Sequence, residues 1–147
     1  MKLSKFTDYA MRVCLYLGAH DDRRVSIAEI AKAHDLSHAN LMKVVQQLVE
    51  GGFLKSTRGR LGGVQLAREA SAIRVGDVAR HMEGCGMMVD CASCILQANC
   101  GLVPVLAKAQ RAFFAVLDEV TLEEAVHAHP ATVGILQAGA PPAKAAG

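Results

Sequence analysis

Apolar side chains at Phe6, Ala10, Val13, Cys14 and Leu17 recur at the three- and four-residue spacing that lines one face of a helix, predicting a first helix from about Ser4 to His20. After the polar turn Asp-Asp-Arg-Arg, Val25 and Ser26 can form a short strand. A second helix then opens at Ser26 or Ile27 and runs to His34, with Ile27, Ile30 and Ala31 inward. Asp35, Leu36 and Ser37 make a tight turn, and the Ser37 hydroxyl suits the N-cap of a third helix. That helix carries Leu41, Val44, Val45, Leu48 and Val49 on its inward stripe, and Gly51 and Gly52 suit its C-terminal end. Phe53 to Thr57 and Val64 to Leu66 read as two strands around a glycine-rich turn, and Ile73 to Glu83 as a further helix.

Leu102 to Glu119 has apolar residues on more than one face, which calls for two partners: a second copy of the same helix is the favoured one, and a helix buried entirely within the monomer is the alternative. Thr121 with Glu124 three residues on forms a capping box for a short helix to His127. From about Pro130 small residues, alanine and proline take over, predicting a flexible tail. The fold class is therefore mainly α with a small β wing. A winged helix-turn-helix domain spans 1–80, a cysteine loop 81–101, a dimerisation helix and short terminal helix 102–130, and the flexible tail 131–147.

Two helices across a tight turn place the second in the major groove of DNA. Its outward residues His38, Asn40, Lys43, Gln46 and Gln47, with Ser37 at its start, carry groups that hydrogen-bond base edges or phosphates. A solvated helix face carries such residues too. The hairpin tips the balance, because Arg58 and Arg60 at its tip suit phosphates or a narrow minor groove, as a wing would. Charge agrees: residues 1–80 hold 13 Lys plus Arg against 8 Asp plus Glu, whereas 81–147 hold 3 against 6.

Four of the five cysteines, Cys85, Cys91, Cys94 and Cys100, fall in one irregular stretch. The amino terminus is interrupted by Asp8 and Arg12, unlike a signal peptide, and no apolar run is long enough to span a membrane. A cytoplasmic location, where thiols stay reduced, follows as the expectation. It makes metal or an iron-sulfur cluster a better account of the cysteines than disulfides. A zinc knuckle and a thiol redox switch are the alternatives. Nucleophilic catalysis by a thiol is disfavoured, because no His with Asn or Asp accompanies a single activated Cys, and no enzyme is expected. Cys14 lies on the apolar stripe and reads as a core thiol.

The opening K-L-S-K-F-T-D-Y-A, the helix-turn-helix, the wing R-G-R-L-G-G-V-Q-L, the segment A-S-A-I-R-V-G-D-V and three cysteines before a long helix together resemble the iron-sulfur winged-helix transcriptional regulators, over roughly residues 1–128. Within that family the chain is most similar to the nitric-oxide-sensing NsrR group. The IscR group, with a histidine where this chain has Val103, is more distant. The resemblance implies an iron-sulfur cluster, 2Fe-2S or 4Fe-4S, on Cys91, Cys94 and Cys100, with Asp8 of a second subunit as fourth ligand and Arg12 holding that carboxylate. It further implies a homodimer on double-stranded DNA with an inverted-repeat operator, and nitric oxide as the signal that lifts repression. Two features depart from the family pattern: the first two cysteines are close together, and Cys85 is an extra thiol that could replace Asp8.

Overall fold

The computed structural model describes residues 2–84 and 86–139, with the side chain of Ala98 left aside. The element order is α1 (Lys5–Gly18), α2 (Ile27–His34), α3 (His38–Glu50), β1 (Leu54–Thr57), β2 (Gly63–Leu66), α4 (Val75–Glu83), α5 (Leu102–Asp118), α6 (Leu122–His127) and α7 (Thr132–Ala138), with 3-10 turns at Ala70–Ala72 and Gln97–Asn99. Four helices, α1, α2, α3 and α6, start where a hydroxyl side chain takes up a free N–H group. Ser4 accepts from Thr7, Ser26 from Glu29, Ser37 from Asn40, and Thr121 from Glu124. The capping box at Thr121 is complete, since the Glu124 carboxylate accepts in return from the Thr121 backbone N–H at 2.7 Å.

One core unites the amino-terminal helices with the wing. Val13, Cys14 and Leu17 of α1 meet Ile30 of α2, Leu41, Val44 and Leu48 of α3, and Val64 of β2, all essentially sealed from solvent. The strands pair antiparallel from Leu54 opposite Leu66 to Thr57 opposite Gly63. The expected strand at Val25 is reduced to an isolated bridge to Val64, which fastens the start of α2 to the sheet. Before α4 the chain is extended at Ile73 and Arg74 rather than helical, because Arg74 bridges to Thr121.

Two further sequence expectations are corrected. Val49 stands on the exposed side of α3 with Met42, because the stripe through Leu41, Val44, Val45 and Leu48 already fills the inward face. The expected flexible tail is helical over Thr132–Ala138: Leu136 packs against the core, and the Gln137 side-chain amide donates to the Ala19 carbonyl at 3.2 Å. Residues 140–147 of that tail lie outside the described residues. In line with the expectation that it needs a partner beyond this chain, α5 buries none of its side chains completely, and Leu102, Val105 and Val116 are each at least 60% exposed.

Candidate DNA interface and metal centre

Helix α3 presents Asn40, Lys43 and Gln47 at i, i+3 and i+7, so the three share one face. Lys43 and Gln47 are exposed, Asn40 is half-buried, and His38 is exposed in the first turn. Gln46, by contrast, donates to Glu50 at 3.0 Å and is partly occupied. The Ser37 hydroxyl oxygen accepts the Asn40 N–H at 3.4 Å, which leaves its own proton free to donate to a phosphate. Arg58 and Arg60 are exposed in the tip between β1 and β2. The tip is tight: Gly59 has φ +106°, the Gly62 N–H donates to the Gly59 carbonyl, and a Cβ on Gly62 would collide with the Thr57 carbonyl oxygen. The arginines therefore sit on a tight, exposed turn, a suitable mount for phosphate contact.

The cysteine loop runs from Gly84 to Gly101 between α4 and α5, and Cys85 lies outside the described residues. Cys91, Cys94 and Cys100 are half-buried free thiols. Each opens a turn: the Cys91 carbonyl accepts from the Cys94 N–H, Cys94 from Gln97, and Cys100 from Val103. The C-x2-C pair thus sits on one turn, the arrangement thiolate pairs use to grip one metal centre. Cys91 also lines an open pocket with Met87, Ala92, Gln97 and Val103. Among the described residues no three His, Cys, Asp or Glu side chains converge as a complete donor set. The donor chemistry, soft thiolates clustered in a turn-rich loop, fits an iron-sulfur cluster; the single chain presents the donors without closing them into a cage.

Asp8 lies on α1, half-exposed, and the Arg12 guanidinium grips it with both arms, Nε to Oδ1 at 3.1 Å and Nη2 to Oδ2 at 2.8 Å. The two residues stand at i and i+4 of the helix, and their bidentate pair fixes the carboxylate while leaving it accessible. A residue the sequence reading did not single out stands near it. His34, at the end of α2, has its Nε2 buried without a partner among the described residues. Burial holds its pKa below the ordinary value, Arg12 pushes the same way, and Asp8 opposes. Nothing in the periodicity of α2 distinguishes this histidine; only the packing of α2 beside α1 reveals it.

The described residues include no helix long and apolar enough to cross a membrane. Residues 3–128 match the family model Rrf2, described as an iron-dependent transcriptional regulator. The chain is 38% identical over 132 residues to the HTH-type transcriptional regulator NsrR of Bacillus licheniformis, spanning 86% of this chain and 92% of that protein. It is 39% identical over 135 residues to protein aau3 of Rhizobium meliloti, spanning 88% of each. Among solved structures it resembles IscR of T. potens, with TM-score 0.71 and 30% identity over 89% of this chain and 90% of that one. It also resembles CymR, the global cysteine regulator of B. subtilis, with TM-score 0.68 and 28% identity over 88% of this chain and 98% of that one.

Proposed function

Because the chain belongs to the Rrf2 family of iron-dependent transcriptional regulators, we propose that it is a cytoplasmic repressor that senses nitric oxide through an iron-sulfur cluster and releases operator DNA on nitrosylation. It regulates transcription and is not an enzyme. The observation that carries the finer reading is the pairing of two features in a relative of NsrR. One is a loop with three free thiols, Cys91, Cys94 and Cys100; the other is a carboxylate, Asp8, held accessible by Arg12 on the first helix of the reading head.

In this mechanism Cys91, Cys94 and Cys100 hold the cluster as thiolates, and Asp8 of a second subunit is the fourth ligand. When bound, the cluster supplies iron that nitric oxide can attack. The carboxylate is a harder and weaker partner than the thiolates, so it is the ligand most easily given up. Arg12 keeps it aimed, the supporting role that metal-bound carboxylates require. With Asp8 engaged, α1 of one reading head is tied to the cysteine loop of the other subunit, and the two α3 helices are set at the spacing of an inverted repeat. Ser37, His38, Asn40, Lys43 and Gln47 then face the major groove, and Arg58 and Arg60 the flanking backbone or minor groove. Release of Asp8 frees the heads to shift. The exposed Leu102, Val105 and Val116 of α5 form the dimer contact.

The test is an absorption spectrum with iron and sulfide assays on protein purified without oxygen, followed by titration with nitric oxide in the presence of a labelled duplex selected by the protein from a random pool. Brown protein whose visible band bleaches as the duplex is released supports the switch. Colourless protein containing zinc and indifferent to nitric oxide refutes it and points to a structural metal on the same scaffold. Loss and recovery of DNA binding on peroxide and thiol treatment without any metal would instead identify a redox switch among the loop cysteines.

A further inference from the structure

Helix α4 ends where the cysteine loop begins, and its last turn reaches the recognition helix through one side chain. The His81 Nε2 lies 2.7 Å from the Gln47 carbonyl oxygen, a distance at which the ring N–H donates to that carbonyl. Gln47 O belongs to the last turn of α3, where carbonyls lack a full set of intrahelical partners, and it accepts the Gly51 N–H as well. The His81 ring also packs against Phe53, centroid to centroid 5.5 Å. It occupies the space beside Gly51 so closely that a Cβ there would lie 2.7 Å from Nε2 and 2.8 Å from Cε1. Gly51 has φ −76° and ψ −4°, an ordinary helical conformation. The glycine is therefore needed for clearance against His81 and Phe53, not for its backbone angles.

On the other side, the same turn of α4 is fixed to α5. Arg80, the preceding residue, donates to Asp118 at 2.7 Å and lies over the Phe114 ring, its guanidinium carbon 5.0 Å from the centroid. The loop that follows is itself fastened to α5, where Gln110 donates to the Gly86 carbonyl at 3.0 Å. The last turn of α4 thus joins the cysteine loop, the long helix and the C-terminal end of the recognition helix. Gln47, whose carbonyl His81 engages, also carries a side chain assigned to the DNA face.

We infer that His81 is a positioning residue that transmits the state of the cysteine loop to the recognition helix by anchoring the Gln47 carbonyl and wedging against Gly51. This rests on the cluster-switch reading above. Displacement of the loop moves the end of α4, and the hydrogen bond carries that displacement to α3. Without it the recognition helix keeps its fold but no longer follows the loop.

The experiment measures the affinity of the cluster-loaded protein for a labelled duplex recovered from a random pool, before and after nitric oxide, together with Tm. The variants are His81→Phe, His81→Gln and Gly51→Ala. Phenylalanine keeps the ring against Phe53 and Gly51 but cannot donate, whereas the glutamine amide can donate from about the place of Nε2. Alanine at Gly51 evicts the ring without backbone strain. The expected result is that the ratio of affinities before and after nitric oxide falls by about tenfold in His81→Phe and in Gly51→Ala, the scale of one lost hydrogen bond on each of two reading heads. It is restored in His81→Gln, with Tm close to that of the parent in both His81 variants and lowered in Gly51→Ala, whose added Cβ also crowds the buried Phe53 ring. An unchanged ratio in His81→Phe overturns the inference, as does an equal loss of affinity in both states, which marks a merely structural role. A parent protein that binds equally before and after nitric oxide refutes the sensor and the coupling together; a responsive parent with responsive variants refutes the coupling alone.

Discussion

The five thiols are chemically alike, and position alone separates them. Cys14 has no solvent exposure, and burial pushes its pKa up to about 12, so it remains a neutral thiol at physiological pH. Cys91, Cys94 and Cys100 are half-buried in the loop. Iodoacetamide applied at pH 8 to folded protein stripped of metal should alkylate those three and spare Cys14 until denaturant is added, as mass spectrometry of the digested protein would show. Labelling of Cys14 in the folded state would contradict the packing of α1. The apolar stripe already placed this cysteine in the core, whereas the vicinity of His34 to Asp8 and Arg12 was illegible, because it arises from α2 lying across α1. For Asp8 the two roles separate experimentally. As a solvated ion pair with Arg12 it contributes at most about 1 kcal/mol. As a ligand its removal changes the cluster. Asp8→Ala should therefore leave Tm nearly unchanged while altering the visible spectrum of protein prepared without oxygen; an identical spectrum would pass the fourth position to another donor such as Cys85.

Elements whose ends are marked by hydroxyl caps were legible to within a few residues: α2, α3 and α6 begin after Ser26, Ser37 and Thr121 as the sequence implied. The wing was legible too, from its glycines and alternating strands. Elements fixed by distant partners were not. The start of α4 is set by the Arg74 bridge to Thr121, and α7 by docking of Leu136 and Gln137 on the far side of α1, neither of which leaves a local signature. The link from His81 to Gln47 is of the same kind, joining residues far apart in the chain. The capping box lends itself to direct measurement. Thr121 is nearly buried, accepts the Glu124 N–H at 3.1 Å and donates to its carboxylate at 2.8 Å. Thr121→Ala should lower unfolding stability by about 0.5 to 2 kcal/mol in chemical denaturation; no loss would show that the box merely decorates a helix held by Leu122 and Val126.

At the scale of the molecule, one chain leaves the apolar face of α5 in water, and the two-sided pattern of that helix in the sequence already called for a second partner. Replacing Val105 and Val116 together by aspartate should convert a dimer to a folded monomer in sedimentation velocity, with little change in secondary structure by circular dichroism. If the double variant sediments as the parent does, α5 is not the contact. The cysteines were legible as a set of donors and not as a geometry, since among the described residues no three donor side chains converge. A last consequence follows from how α1 is clasped. The Ser4 N–H donates to Glu83 at 2.6 Å at one end, while Ala19 accepts from Gln137 and Gly18 abuts Val126 at the other. A helix pinned at both ends cannot slide along its own axis without breaking those pins, so under the proposed cluster switch a pull at Asp8 would turn the whole reading head as a rigid lever. Amide exchange along α1 should then be equally slow before and after nitric oxide, while spin-label distances between the two heads change.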